Sequence, residues 1–129
     1  MRSRARFNAP KKIICYHVDD KHSASLKKAA EDTEAELIIL EEQAAGQTVG
    51  FLAGFAGFPE SSQPSPVTPD KECYFFSGFD SKTLDMLLDK FDELDCSTDL
   101  MCVITSQNQK LPLYQLIDNL WAEHTSMSK

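Results

Sequence analysis

The sequence predicts an α/β domain, a small three-layer sandwich built on a four-stranded, mainly parallel sheet. Three observations carry this reading. Four short apolar runs alternate with helical segments in the order β-α-β-(α)-β-α-β-α. That alternation favours parallel pairing with right-handed crossovers. The runs are apolar throughout instead of alternating with polar residues, as in a sheet covered on both faces. Finally, the chain is 129 residues long and 42% hydrophobic, which suits one domain with a core of its own. The alternative is an α+β ferredoxin-like sandwich, which needs the second and third strands to pair antiparallel. The long segment between those strands, 41–71, is unlike a hairpin loop.

The elements follow in order. "KKIICYHV" (11–18) is short, apolar and rich in β-branched residues, and reads as a buried strand. In "DDKHSASLKKAAEDTEAE" (19–36), Asp19 or Asp20 can cap a helix whose apolar face holds Leu26, Ala29 and Ala30. "ELIIL" (36–40) is a second strand. "PESSQPSPVTPD" (59–70) has four prolines and no periodicity, and reads as a loop. "ECYFFSGF" (72–79) is a third strand. Asp80 is a natural N-cap for the helix that follows, and Phe79 and Leu84 fit a hydrophobic staple around it. Leu84, Leu87, Leu88, Phe91 and Leu94 then recur at helical spacing. "LMCVIT" (100–105) is the fourth strand. Pro112 suits the first turn of a last helix with the stripe Leu113, Leu116, Ile117, Leu120 and Trp121. The predicted organisation is a flexible basic arm at 1–11 and one α/β domain at 12–127, with the proline-rich loop at 59–70.

"TVGFLAGFAGF" (48–58) has no charge and is too short to span a bilayer. It lacks the Gly-Lys-Ser/Thr end of a phosphate loop. Read as a helix near 48–57, it places Gly50, Gly54 and Gly57 on one face and Phe51, Phe55 and Phe58 on a ridge beside it. The expectation is that Phe51 and Phe55 are largely buried. The glycine face then lies against another backbone, lines a ligand edge, or serves a homodimer contact. The alternative is an irregular loop that uses glycine for positive φ.

Charge narrows the function. The formal net charge is −7, but residues 1–12 hold five cations and no acid, so the rest has eight cations against twenty acids. An acidic body repels nucleic acid and anionic membranes over about 8 Å in physiological salt. Aromatic residues are not interleaved with cations, so base stacking is unsupported. No signal peptide or spanning run is visible, and a cytoplasmic protein is the expectation. Of the four cysteines, Cys15, Cys73 and Cys102 sit in apolar runs and Cys96 outside them. They are expected to be reduced and mostly buried, since none is spaced for zinc or a redox pair.

"FFSGFDSKTLDMLLDKF" followed by "CVITSQNQKLPLYQLIDNLWAEH" resembles a family of small bacterial proteins known as a domain of unknown function, number 3783. The family's pattern is a strand ending in Gly-Phe-Ser, a helix with Leu-Asp, a strand ending in Val-Thr-Pro-x-Asn, a tryptophan, and a helix closing on Glu-His. Gly78, Phe79, Leu84, Asp85, Thr105, Asn108, Glu123 and His124 match it. "GFLAGFAGF" is similar to a Leu-Ala-Gly segment of the same proteins. Asp80 stands in place of serine, Ser106 in place of proline, and Leu111 in place of tryptophan. The resemblance implies the α/β fold and a bacterial, cytoplasmic origin. It implies no activity.

In an open parallel sheet, ligands bind beyond the carboxyl ends of the strands. Here those ends carry Asp19 and Asp20; Glu41 and Glu42; Ser77, Gly78 and Phe79; and Thr105, Ser106, Gln107 and Asn108. With all strands parallel, the four groups would converge on one edge, with Thr105, Asn108, Ser77 and Gly78 in contact range beside a concave surface. Ser77, Gly78, Phe79, Thr105, Ser106 and Asn108 are therefore the candidate ligand-binding residues. Asp19 and Asp20 are candidate oxygen ligands for Mg²⁺, as in a phosphoreceiver. That pattern also needs an aspartate after the middle strand, where Asp80 is better explained as a cap, and a lysine beyond the Thr strand. No catalytic residue is assigned: Ser77 lacks a nucleophile elbow, and His17 reaches it only if their strands are neighbours. The sequence thus favours a non-catalytic binding or regulatory module for a protein partner or small-molecule ligand, with no cofactor. The alternative is a small enzyme or phosphoreceiver using the acidic cluster with Mg²⁺. A nucleic-acid adaptor acting through the basic arm ranks third.

Overall fold

The computed structural model describes residues 10–127, so the expected arm at 1–11 lies outside the described residues except for its last two positions. Strands β1 (Lys12–Tyr16), β2 (Glu36–Leu40), β3 (Cys73–Ser77) and β4 (Leu100–Val103) form one sheet. Helix α1 (Asp20–Asp32) joins β1 to β2, and α3 (Ser81–Leu94) joins β3 to β4. A short α2 (Val49–Leu52) follows β2, and α4 (Leu113–Met127) follows β4. The sheet order is β2-β1-β3-β4. β1 pairs parallel with β2, and β3 with β4. The α/β class holds as a mixed, mostly parallel sheet. β2 does not pair with β3, so the ferredoxin-like order is absent.

The central pair, β1 and β3, is antiparallel. This corrects the expectation that all strand ends meet on one edge. The cause lies in the proline-rich loop. No helix carries the chain from the end of β2 back along the sheet. Instead the Tyr16 hydroxyl donates to Pro69 O at 2.9 Å, so the loop returns to where β1 finishes. β3 starts there, with Tyr16 opposite Cys73, and runs the other way.

Alternate strand residues serve opposite faces. Ile13, Cys15, Tyr74 and Phe76 pack with Leu26, Ala29, Leu87 and Phe91 of α1 and α3. Ile14, Tyr16, Cys73 and Phe75 pack with Val49 of α2 and Leu113, Leu116 and Ile117 of α4. Every one of these strand side chains is buried, which is why β1 and β3 read as unbroken apolar runs. Burial of each large apolar side chain contributes about 1.5–3 kcal/mol. Trp121 was expected on the α4 stripe, but the stripe stops short of it and Trp121 remains 39% exposed.

The two halves repeat each other closely. His17 and Gly78, in the turns after β1 and β3, both have positive φ, 58° and 84°. Asp19 and Asp80 cap the helices that follow. Glu34 and Asp95 close those helices with φ of 58° and 56°. Each pair has the same separation in sequence. The β1–β3 register is symmetric about Ile14 and Phe75, with Lys12 opposite Ser77 and Tyr16 opposite Cys73. Thr48 and Pro112, just ahead of α2 and α4, bridge one another. Val49 N donates to Leu111 O and Leu113 N to Gln47 O, at 2.9 and 2.8 Å.

The glycine-rich segment departs from the predicted helix. Only Val49–Leu52 is helical, capped by the Thr48 hydroxyl, which accepts from Phe51 N at 3.2 Å. Gly54 and Gly57 then adopt φ of 79° and 88°, a conformation that ends a helix. No shared glycine face exists, so the homodimer contact inferred from it has no support. Gly50 is the most closely packed of the three: a Cβ there would meet the Phe58 ring at 2.6 Å. Phe51 and Phe55 are half-buried, not largely buried. The glycine and phenylalanine spacing that suggests a helix suits equally a turn of helix followed by two tight turns.

All four cysteines are free, with Cys15, Cys73 and Cys96 buried and Cys102 half-buried. No helix among the described residues is long and apolar enough to cross a membrane.

Candidate functional site

Because the central strands run in opposite directions, the four groups of strand-end residues separate into two sites. Ser77, Gly78 and Phe79 share one end of the sheet with Thr105, Ser106 and Asn108, since Phe76 pairs with Val103 and Ile104 N donates to Phe76 O at 2.9 Å. Asp19, Asp20, Glu41 and Glu42 follow β1 and β2 at the opposite end.

At the β3–β4 end, the Asp80, Thr105 and Asn108 side chains are engaged within the chain. Gly78 is needed because its turn has positive φ and because a Cβ would sit 2.1 Å from Pro10 O. Phe79 packs edge-on against Phe76 with ring centres 6.2 Å apart, and sits with Leu84 against the core as a staple. Asp80 accepts from Thr83 N at 2.8 Å, and the Thr83 hydroxyl accepts from Asp80 N at 3.0 Å, which completes a capping box. These contacts with Thr83 hold the Asp80 carboxyl below its usual range. The Thr105 hydroxyl accepts from Gln107 N and Asn108 N at 3.2 and 3.1 Å. Ser106 O accepts from Gln109 Nε2 at 3.3 Å.

Asn108 has a more particular role. Ile104 N points inward to β3, so in an alternating strand Val103 O and Thr105 N point to the outer edge. The Asn108 carboxamide meets both: Nδ2 donates to Val103 O at 3.0 Å, and Oδ1 accepts from Thr105 N at 2.8 Å. One side chain thus stands in for a neighbouring strand and closes this end of the β4 edge.

The β1–β2 end is open and acidic. A cleft of about 440 Å³ is lined by His17, Val18, Asp20, Ser23, Leu40, Glu41 and Glu42, among others. A second, of about 300 Å³, shares Ile39 and Glu41 but is walled by Gln47, Phe51, Leu52 and Glu60. Among the described residues, none of the ion pairs involves Asp20, Glu41 or Glu42. Glu41 accepts from Gln43 Nε2 at 3.1 Å. The Tyr16 hydroxyl ionises less readily than usual, through burial first and then the nearby Glu42. Asp19 is committed to the α1 cap, accepting from Lys21 N at 3.1 Å.

This geometry removes the phosphoreceiver arrangement. Such a site needs the two acids after β1 and the threonine after β4 on one edge, and they lie at opposite ends. Among the described residues, no group of three or more His, Cys, Asp or Glu is placed to hold a metal ion.

One polar cluster escaped the sequence reading. Glu72, just ahead of β3, accepts from His22 Nδ1 at 2.9 Å and from Asp19 N at 3.1 Å. Its Oε2 lies 3.0 Å from the Tyr74 hydroxyl, which is also 2.8 Å from Cys96 O. The His22 and Glu72 side chains are 12% and 14% exposed, so the cluster ties α1 to the start of β3 below the surface. Burial, followed by Glu72, pushes the Tyr74 hydroxyl pKa well up. Its partners come from distant parts of the chain, and no local motif announces them.

Neither the curated proteins nor the solved structures contain a match to the chain. A family model does match, and its limits coincide with the second of the two repeated halves, from Glu72 ahead of β3 to the end of α4. That half carries the Gly78 turn, the Asp80 cap and the Asn108 edge closure. Residues 72–127 are thus a DUF3783 domain, a domain of unknown function.

Proposed function

We propose that this protein is a non-catalytic binding module that takes a cationic partner at the acidic end of the sheet, where β1 and β2 finish. The observation that carries the reading is the 440 Å³ cleft, whose carboxylates Asp20, Glu41 and Glu42 form no ion pair among the described residues. Carboxylates of one sign gathered without ion-pair partners raise the local concentration of cations and steer their approach. The opposite end is a poorer candidate. Its threonine, asparagine and glycine are occupied in shaping turns and closing an edge, as described above.

The test is calorimetric titration with octalysine at low and moderate salt. The wild-type protein is expected to bind, more weakly as salt rises. Glu41→Gln/Glu42→Gln should weaken binding several-fold without changing the circular dichroism spectrum. Equal affinity of the two proteins would remove the reading.

A further inference from the structure

The sheet has two outer edges, and they are finished differently. On β4, Asn108 occupies Val103 O and Thr105 N. On β2, nothing equivalent exists among the described residues. Glu36 N donates inward to Lys11 O at 2.8 Å, so by alternation the main-chain groups of Leu37 and Ile39 point outward. Among the described residues β2 pairs only with β1, so those outward donors and acceptors have no strand partner there. Exposed strand edges of this kind are ordinarily blunted by lysine, proline or a covering element. β2 contains neither lysine nor proline, and Ile39 on it is 50% exposed.

We infer that the open edge of β2 receives an extended, basic segment of a partner protein as an added strand. This deepens the reading of the acidic end and rests on it. Two features of the edge specify the occupant. The two clefts flank the same stretch of β2: Ile39, Leu40 and Glu41 line both, one bordered by α1 residues and the other by α2 residues. Successive side chains of an added strand point to alternate faces, so they would enter the two clefts in turn. Carboxylates wait in each, Asp20, Glu41 and Glu42 in the first and Glu41 and Glu60 in the second. Lysine or arginine at successive positions meets both, with the aliphatic stems against Ile39 and the charged ends at the acids. A second copy of this chain is the wrong partner, because pairing β2 with β2 would crowd acids against acids.

The test compares two peptides of equal charge on the full-length protein. One is linear octalysine, which presents lysine to both faces of an added strand. The other is identical but N-methylated at every second amide, which removes the donors an added strand needs. The linear peptide is expected to bind about tenfold or more tightly than the methylated one. It should also slow hydrogen exchange at the Leu37 and Ile39 amides and not at Met101 on β4. Equal binding of both peptides would overturn strand addition while leaving the acidic cleft as a binding site. No binding of either would overturn both. Self-association of the protein alone that is abolished by Ile39→Pro, whose lost N–H faces outward, would overturn the basic partner in favour of a second copy.

Discussion

Replacing Gly78 by alanine separates a glycine that serves the fold from one kept open for a ligand. Gly78 and Gly57 have nearly the same backbone, φ of 84° and 88°. A side chain in this region costs about 1–2 kcal/mol at either site. The surroundings differ. At Gly57 a new Cβ meets nothing within 4 Å, whereas at Gly78 it would fall 2.1 Å from Pro10 O and 2.7 Å from Pro10 C. Those are main-chain atoms two residues ahead of β1, so relief requires moving the chain that feeds the central strand. Overpacking of this kind costs typically about 1–3 kcal/mol more. Gly57→Ala should therefore lower stability by about 1–2 kcal/mol, and Gly78→Ala by about 2–5 kcal/mol. Urea denaturation followed by circular dichroism reads both, through the midpoint at constant m-value. If Gly78→Ala proves no more destabilising than Gly57→Ala, the Pro10 contact does not explain the glycine, and the β3–β4 end returns as a ligand site.

Asn108→Ala should cost about 1 kcal/mol, typical of lost partly exposed hydrogen bonds, and should expose the β4 edge. Analytical ultracentrifugation is expected to show concentration-dependent association in the variant alone; a monomer as clean as the parent would argue against edge closure. Burial pushes the Cys73 thiol up to about 12 and the Cys96 thiol up to about 11, while the unfolded chain ionises near its ordinary value of 9.0. Above that ordinary value the native state binds more protons than the unfolded one, so stability is fully present below it and falls as pH rises. The urea midpoint should drop steadily between about pH 9 and pH 11, and less steeply in Cys96→Ala. A flat profile over that range would show the thiols are not protected.

The sequence made local structure legible wherever the interactions are local. The cap at Asp80 and the Phe79–Leu84 staple join residues a few positions apart, and Leu113, Leu116 and Ile117 follow a local helical spacing, so each is legible before its distant packing partners are known. The uniform apolar runs correctly implied helices on both faces. Strand direction was not legible, because a central strand buried on both faces has the same composition whether its neighbour is parallel or not. The Tyr16–Pro69 bond that reverses β3 joins residues far apart in the chain. Asn108 was singled out for its residue type and position, but its target, the outer face of β4, exists only once β4 is known to be an edge. The β2 edge was missed for the same reason, since "ELIIL" gives no sign that only one side of it is paired.

The central question is which end of the sheet receives a cation. An amide chemical-shift map of the ¹⁵N-labelled protein, titrated with octalysine, decides it. Shifts confined to His17–Ser23 and Ile39–Gln43 are the predicted result. Shifts centred instead on Ser77–Phe79 and Thr105–Asn108, or scattered evenly over the acidic surface, would contradict the account.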